Sequence, residues 1–327
     1  MKVGVLRIII FEFRQRNMKE LELREKMYPA SWKRLKKSAQ SEKIAHAFLF
    51  CGPAYTGKID MALDLVAILN DIDVEEKRNK IISNSFPDIV IIQPEEGKKK
   101  KEIGVDQIKD AIKKISYYAY EKKYKVLIVF NADLMNKSAG NSLLKTLEEP
   151  TEKTIIILIA DREDRVLTTI RSRCQRVYFG LKKDEEIKKY IQDNERIDLP
   201  EGQLKQVVEI SHGKYKLAEK LAINPDFLDR KKEGIEKFRK ALKGGIAETF
   251  EFIEQETKEN KIDSEAIEDW IYFLHNFIKE GINENRSKQI TEKVFEMEKK
   301  LLDVKNKIET SNAASRILLE NYFVQII

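Results

Sequence analysis

Cysteine is almost absent from this chain: Cys51 and Cys174 are the only two among 327 residues. Two thiols cannot build a disulfide framework or a four-cysteine zinc site. Glycine and proline are scarce too, at 13 and 7, which argues against a turn-rich β-sandwich and for long helices. No uninterrupted apolar run approaches the ~18 residues of a membrane-spanning helix. The three histidines, His46, His212 and His275, stand apart, with no acidic or cysteine cluster around them. That leaves no Ser/His/Asp arrangement, no paired-carboxylate acid–base site and no metal cluster. Each histidine is expected to be structural.

Charge, by contrast, is abundant. Charged residues make up 35% of the chain and hydrophobic residues 42%, with a net charge of +6. This is the composition of a soluble globular protein whose mild positive balance permits contact with a phosphate backbone without demanding it. The chain is too long for one ordinary core and predicts two or three domains. The N-terminal KVGVLRIIIFEF has a basic start and a short apolar core. Glu12 and Arg14 interrupt it, and no small-residue cleavage site follows, so it is not read as a signal peptide. Met18 and Met27 are alternative starts. Residues 1–26 are therefore expected to be an extension, and the protein is expected in the cytoplasm, away from membranes.

From Ala45 to Phe179, short apolar runs alternate with amphipathic stretches, which predicts a parallel sheet flanked by helices. His46–Phe50 reads as a strand, Gly52–Asp60 as a loop and Met61–Asn70 as a helix. The loop has the G-x-x-x-x-G-K spacing of a phosphate-binding loop, with Gly52, Gly57 and Lys58 at the diagnostic positions. Backbone N–H groups of such a loop cradle phosphates, the lysine reaches the terminal pair and a following Ser or Thr holds Mg²⁺. Here that following residue is Ile59, which has no ligand atom. Asp71–Ser85 reads as a polar helical connection and Pro87–Ile92 as the second strand. The four lysines of Glu96–Glu102 suit either a solvated loop or a DNA-tracking one. Val105–Ile115 is an amphipathic helix, and Lys125–Met135, KVLIVFNADLM, reads as the next strand. Asp133 is read as the acidic start of a helix rather than a metal ligand.

The stretch Asn141–Gln175, NSLLKTLEEPTEKTIIILIADREDRVLTTIRSRCQ, organises the rest. Ser138–Leu147 is a helix, with Glu148-Glu149-Pro150 as its helix-terminal stop. Thr154–Ala160 is a strand covered on both faces, and Val177–Phe179 is a last short strand. Between them lies Arg171-Ser172-Arg173-Cys174, which taken alone suits a solvated surface or a salt-bridge partner. From Lys182 onward the β signal disappears. Asp184–Asp193, Pro200–Ser211 and Lys214–Leu221 form a small helical unit, Asn224-Pro225 marks a boundary, and the remainder is helical.

Taken together, IAHAFLFCGP, GPAYTGK, NSLLKTLEEP, TIRSRCQ and the helical C-terminal third resemble the clamp-loader branch of the AAA+ ATPases. Within it they are most similar to the delta-prime family of bacterial DNA polymerase III. The resemblance implies an AAA+ α/β domain over residues 27–180, a helical lid over 181–223 and a helical collar over 224–327. The terminal NAASRILLENYFVQI, with Asn312, is similar to a last collar helix. It implies a ring with tau/gamma and delta subunits that opens the sliding clamp on primed DNA. It also implies that Arg173, supported by Ser172 and Cys174, is offered in trans to ATP on a neighbouring subunit. Aligned on such a family, the two acidic residues that would end the third strand are Phe130 and Asn131, and a polar sensor after the fourth strand is replaced by Ala160-Asp161. Residual ATP or ADP binding at Gly52, Gly57 and Lys58, with a lid contact from Lys216, is conceivable, but no hydrolysis is expected; nor are a required cofactor and zinc. Two other readings stay open. One is an ATP-hydrolysing tau/gamma-like subunit, and the other is a standalone DNA-binding adaptor on a decayed ATPase fold.

Overall fold

The computed structural model describes residues 22–41, 43–72, 86–94, 102–117, 123–257, 262, 264–283, 287–310 and 314–326. Most of the 1–26 extension, most of the polar connection after Asp71, the four lysines of 98–101 and Asn312 lie outside these residues. The chain packs as two compact units, 1–200 with 213–219, and 201–212 with 220–327.

The first unit is built on five parallel strands: β1 (Ala47–Cys51), β2 (Ile89–Ile92), β3 (Lys125–Val129), β4 (Thr154–Ala160) and β5 (Gln175–Tyr178). Their order across the sheet is β2-β3-β4-β1-β5, and every neighbouring pair is parallel. The β-branched run of β4 is buried along its whole length, as a strand between two parallel neighbours with helices on both faces must be. Helices α1 (Pro29–Gln40), α2 (Lys58–Leu69), α3 (Val105–Tyr117) and α4 (Lys137–Glu148) supply the cover. Ile108, Ala111 and Ile115 of α3 and Leu143 and Leu147 of α4 pack with Leu49, Leu127 and Leu158 of the sheet. These are apolar positions that helical spacing places on one face. Asn136 caps α4, its side chain accepting the Ala139 N–H at 2.8 Å. Gly140 lets the next segment close in, since a Cβ there would lie 2.6 Å from Leu167 Cδ1.

Several strand boundaries differ from the sequence expectation, and two of them have a clear physical cause. The run Lys125–Met135 is not one strand: β3 ends at Val129, and Ala132–Leu134 is a 3₁₀ turn. The break is at Asn131, whose φ of 52° is left-handed, a conformation that Asn tolerates but a strand cannot continue through. The last strand begins two residues earlier than expected, because Gln175 and Arg176 pair with Phe48 and Leu49 although their side chains are exposed. An edge strand needs no apolar alternation to pair, so periodicity does not mark its start.

A short helix α5 (Thr168–Arg171) precedes β5, and α6 (Asp184–Gln192) follows it. Helices α7 (Glu201–Ser211) and α8 (Tyr215–Ile223) cover the stretch expected to form a lid, and the division between the two units runs through it. The second unit continues with α9 (Pro225–Lys243), α10 (Ile246–Glu256), α11 (Ser264–Asn283), α12 (Lys288–Thr310) and α13 (Ser315–Val324). Its core is aromatic, with Trp270 stacked on Phe238 at 5.0 Å and Phe252 and Phe323 against Phe238. Among its described residues there is no strand.

Candidate functional site

The strand order reverses its direction of travel at β1: the chain leaves β1 for the far edge, returns through β3 and β4, then crosses to β5. In open α/β sheets ligands bind outside the carboxyl ends of the strands at such a switch point. The Gly52–Lys58 loop lies there, leading from β1 into the N-terminus of α2. Gly52 and Gly57 have φ of 140° and 82°, and both are hemmed in. A Cβ on Gly52 would lie 2.1 Å from the Phe179 carbonyl oxygen, and one on Gly57 1.8 Å from the Tyr215 hydroxyl. The glycines therefore fit the loop to its own protein, and Tyr215 sits directly beside Gly57.

Lys58 points inward. Its side chain is 4% exposed, and the ammonium donates to the Gly52 carbonyl at 2.6 Å and the Pro53 carbonyl at 2.5 Å. It also meets Asp161 Oδ1 at 2.9 Å. Burial pushes its pKa below the usual lysine value, and the neighbouring Asp161 carboxylate opposes that shift. Asp161 is held in place through its backbone N–H, which donates to Asp133 Oδ1 at 3.2 Å. Asp133 is thus not merely a turn-starting acid. It faces the same cluster, and desolvation together with Asp161 raises its pKa.

Lys216 reaches this region as well, but not as a free cation. Its backbone N–H donates to the Tyr55 carbonyl of the loop at 3.1 Å. Its ammonium pairs with Glu219 and lies 3.5 Å from Asp60 of α2. At the three positions that the resemblance compares with metal-handling ones, Ile59 is 43% exposed with no donor atom, Phe130 is buried, and Asn131 occupies the left-handed turn. Among the described residues no cluster of His, Cys, Asp and Glu could hold a metal ion.

The arginine loop presents a different environment. Arg173 follows α5 at the amino ends of the strands. Its Nη2 donates to Glu148 Oε1 at 2.5 Å and its Nη1 to the Thr169 carbonyl at 3.0 Å. The arginine and glutamate side chains are 37% and 50% exposed. Ser172 Oγ donates to the Thr169 carbonyl at 3.1 Å. The Cys174 side chain packs against the sheet core, where burial pushes its thiol up to about 12, so it anchors the loop and holds no thiolate at neutral pH. Glu148 is legible in the sequence only as the end of a helix. Nothing in the local sequence shows that α4 ends beside α5.

Residues 27–183 match the family described as DNA polymerase III, delta subunit. The match takes in a little under half of the chain, both loops included, and stops before α6. Over 160 residues the chain is 35% identical to DNA polymerase III subunit delta' of Bacillus subtilis (strain 168), covering 47% of each protein. With the delta' subunit of Pseudomonas aeruginosa it shares 36% over 159 residues, covering 45% of this chain and 47% of that one. The tau subunit of B. subtilis is 32% identical over 192 residues, 55% of this chain and 33% of tau. The chain thus spans about half the length, or less, of the curated relatives it matches. No described helix is long and apolar enough to cross a membrane.

Proposed function

We propose that this chain is a clamp-loader subunit that does not turn over ATP on its own loop and instead supplies Arg173 to ATP held by a neighbouring tau/gamma subunit. The observation that carries this reading is the placement of the two basic residues at opposite ends of one parallel sheet. In the β1–β5 register Phe48 pairs with Gln175 and Cys51 with Tyr178. Lys58 therefore follows the carboxyl end of β1, while Arg173 precedes the amino end of β5, with on the order of 10 Å of paired strand between those ends. Arg173 has no route to phosphates on its own loop, and if it serves a nucleotide, that nucleotide belongs to another subunit. There its planar fork would neutralise charge developing on the transferred phosphoryl group. Ile59, Phe130 and Asn131 support the other half of the reading, because none offers the carboxylate or hydroxyl oxygen that holds Mg²⁺ in such a loop.

The partners in this reading are tau/gamma and delta, with the sliding clamp and primed DNA engaged through the assembled ring in the cytoplasm. The helical second unit would serve as the collar. One observation favours an ATP-hydrolysing, tau-like alternative, namely the 32% identity with tau; the chemistry of the loop opposes it. The test is ATP hydrolysis by tau/gamma plus delta, with and without this chain, beside this chain alone. The expected result is no turnover alone and strong stimulation of the mixture. Turnover by the isolated chain would establish the tau-like alternative. A mixture that ignores the chain would leave the DNA-binding adaptor, recognisable by steeply salt-dependent DNA binding.

A further inference from the structure

The register of β1 with β4 sets Cys51 beside Ala160, so the residues that follow, Gly52 and Asp161, leave the sheet side by side. This brings a carboxylate to the mouth of a phosphate loop. A lysine ammonium has three protons to donate, and Lys58 finds three oxygens: two loop carbonyls and Asp161 Oδ1. The carbonyls belong to the backbone of the loop itself. Asp161, 37% exposed at its side chain, is the partner that faces solvent and the one that carries charge. We propose that Asp161 is an internal occupant of the phosphate site, its carboxylate taking the place at Lys58 that the phosphate chain of a nucleoside di- or triphosphate would otherwise take. The loop is thereby charge-compensated and closed without a ligand. This inference rests on the reading that the loop does not turn over ATP, and it assigns that inactivity a cause beyond the missing metal ligands.

Removing the carboxylate while keeping its shape leaves a buried ammonium short of its counter-charge, which either destabilises the fold or recruits an anion. The experiment is thermal unfolding of the full chain, wild type and Asp161→Asn, with and without inorganic pyrophosphate and, separately, ADP, in EDTA. Wild type should ignore both anions. Asp161→Asn should melt several degrees lower and recover by several degrees in millimolar pyrophosphate. The recovery should vanish in Asp161→Asn combined with Lys58→Met. Equal recovery with pyrophosphate and ADP identifies the phosphate chain as the recognised group, and greater recovery with ADP adds a nucleoside contact; both support the proposal. Because Tyr215 stands beside Gly57, Asp161→Asn with Tyr215→Ala is run in parallel. No anion response in either background overturns the proposal, as does an equal response in wild type. If Asp161→Asn does not fold alone, refolding yield with and without pyrophosphate separates the same outcomes. Turnover of ATP by the wild-type chain would sink the non-hydrolysing reading instead, so the two failures are distinguishable.

Discussion

Lys58 and Arg173 are basic residues at opposite ends of one parallel sheet, and their surroundings differ in every respect that matters to a ligand. Lys58 is 4% exposed and saturated by two carbonyls and a carboxylate. Arg173 is 37% exposed and held by one half-exposed glutamate, one carbonyl and, at 3.5 Å, the Ser172 hydroxyl. Burial and full coordination make the lysine part of the fold, since removing any partner strands a desolvated charge. Exposure makes the arginine exchangeable, because a surface ion pair contributes only ~0–1 kcal/mol and can be given up to a better anion. A phosphate-loop lysine can thus persist for structural reasons, and under the proposed function the residue offered to nucleotide is Arg173 instead.

This contrast can be broken at several points, and the largest effect is expected at Arg173. Arg173→Lys keeps the charge but loses the planar fork. It should lower hydrolysis at the site it serves in the assembled ring by on the order of 10²-fold or more, with the Tm of this chain unchanged. A wild-type rate would show that Arg173 is ordinary surface. Next come substitutions in the closed region. Arg24 grips Asp64 through two hydrogen bonds of 3.0 and 3.2 Å, and both side chains are buried. Arg24→Met should therefore cost about 3–5 kcal/mol in denaturant unfolding. Gly57→Ala places a Cβ where φ is left-handed and Tyr215 already stands. It should cost about 2 kcal/mol, and less when Tyr215 is also truncated.

Smaller effects sharpen the comparison. Asp133 has a raised pKa from burial and from Asp161. A carboxyl raised on folding contributes stability that is fully present below its unfolded value and is lost as pH rises through the folded one. Asp133→Asn, which keeps an acceptor for the Asp161 N–H, should thus stabilise the chain at pH 7 relative to wild type. The gain should fade as pH falls through the carboxylate range. A gain that grows toward acid pH would reverse the assignment. The smallest change is expected for Glu148→Gln, with unfolding shifted by no more than ~1 kcal/mol.

Much of this architecture is legible in the sequence, and the physical reason is period. The buried run of β4 and the helical spacing of Leu143 and Leu147 are strong local signals that agree with the packing. The phosphate loop is legible from its glycines and lysine, and its lack of a metal-binding hydroxyl from Ile59. The partnership of side chains distant in sequence is not legible. Asp161 follows β4 and Lys58 follows β1, and only the parallel β1–β4 register makes them neighbours. Glu148 meets Arg173 across 25 positions because α4 and α5 pack closely at Gly140. The turn at Asn131 is hidden by an apolar run that continues past the end of the strand. The separation of Lys58 from Arg173 likewise depends on strand direction, since in a parallel sheet a loop after one strand and a loop before another lie at opposite ends.

The two basic residues have, on this reading, exchanged the importance that their motifs suggest. The most direct test is ATP hydrolysis by rings of tau/gamma and delta assembled with Arg173→Ala or with Lys58→Met, each assayed below its own Tm. The expected result is that Arg173→Ala abolishes the stimulation this chain provides and that Lys58→Met leaves it intact. Loss of stimulation with Lys58→Met and retention with Arg173→Ala would contradict the exchange.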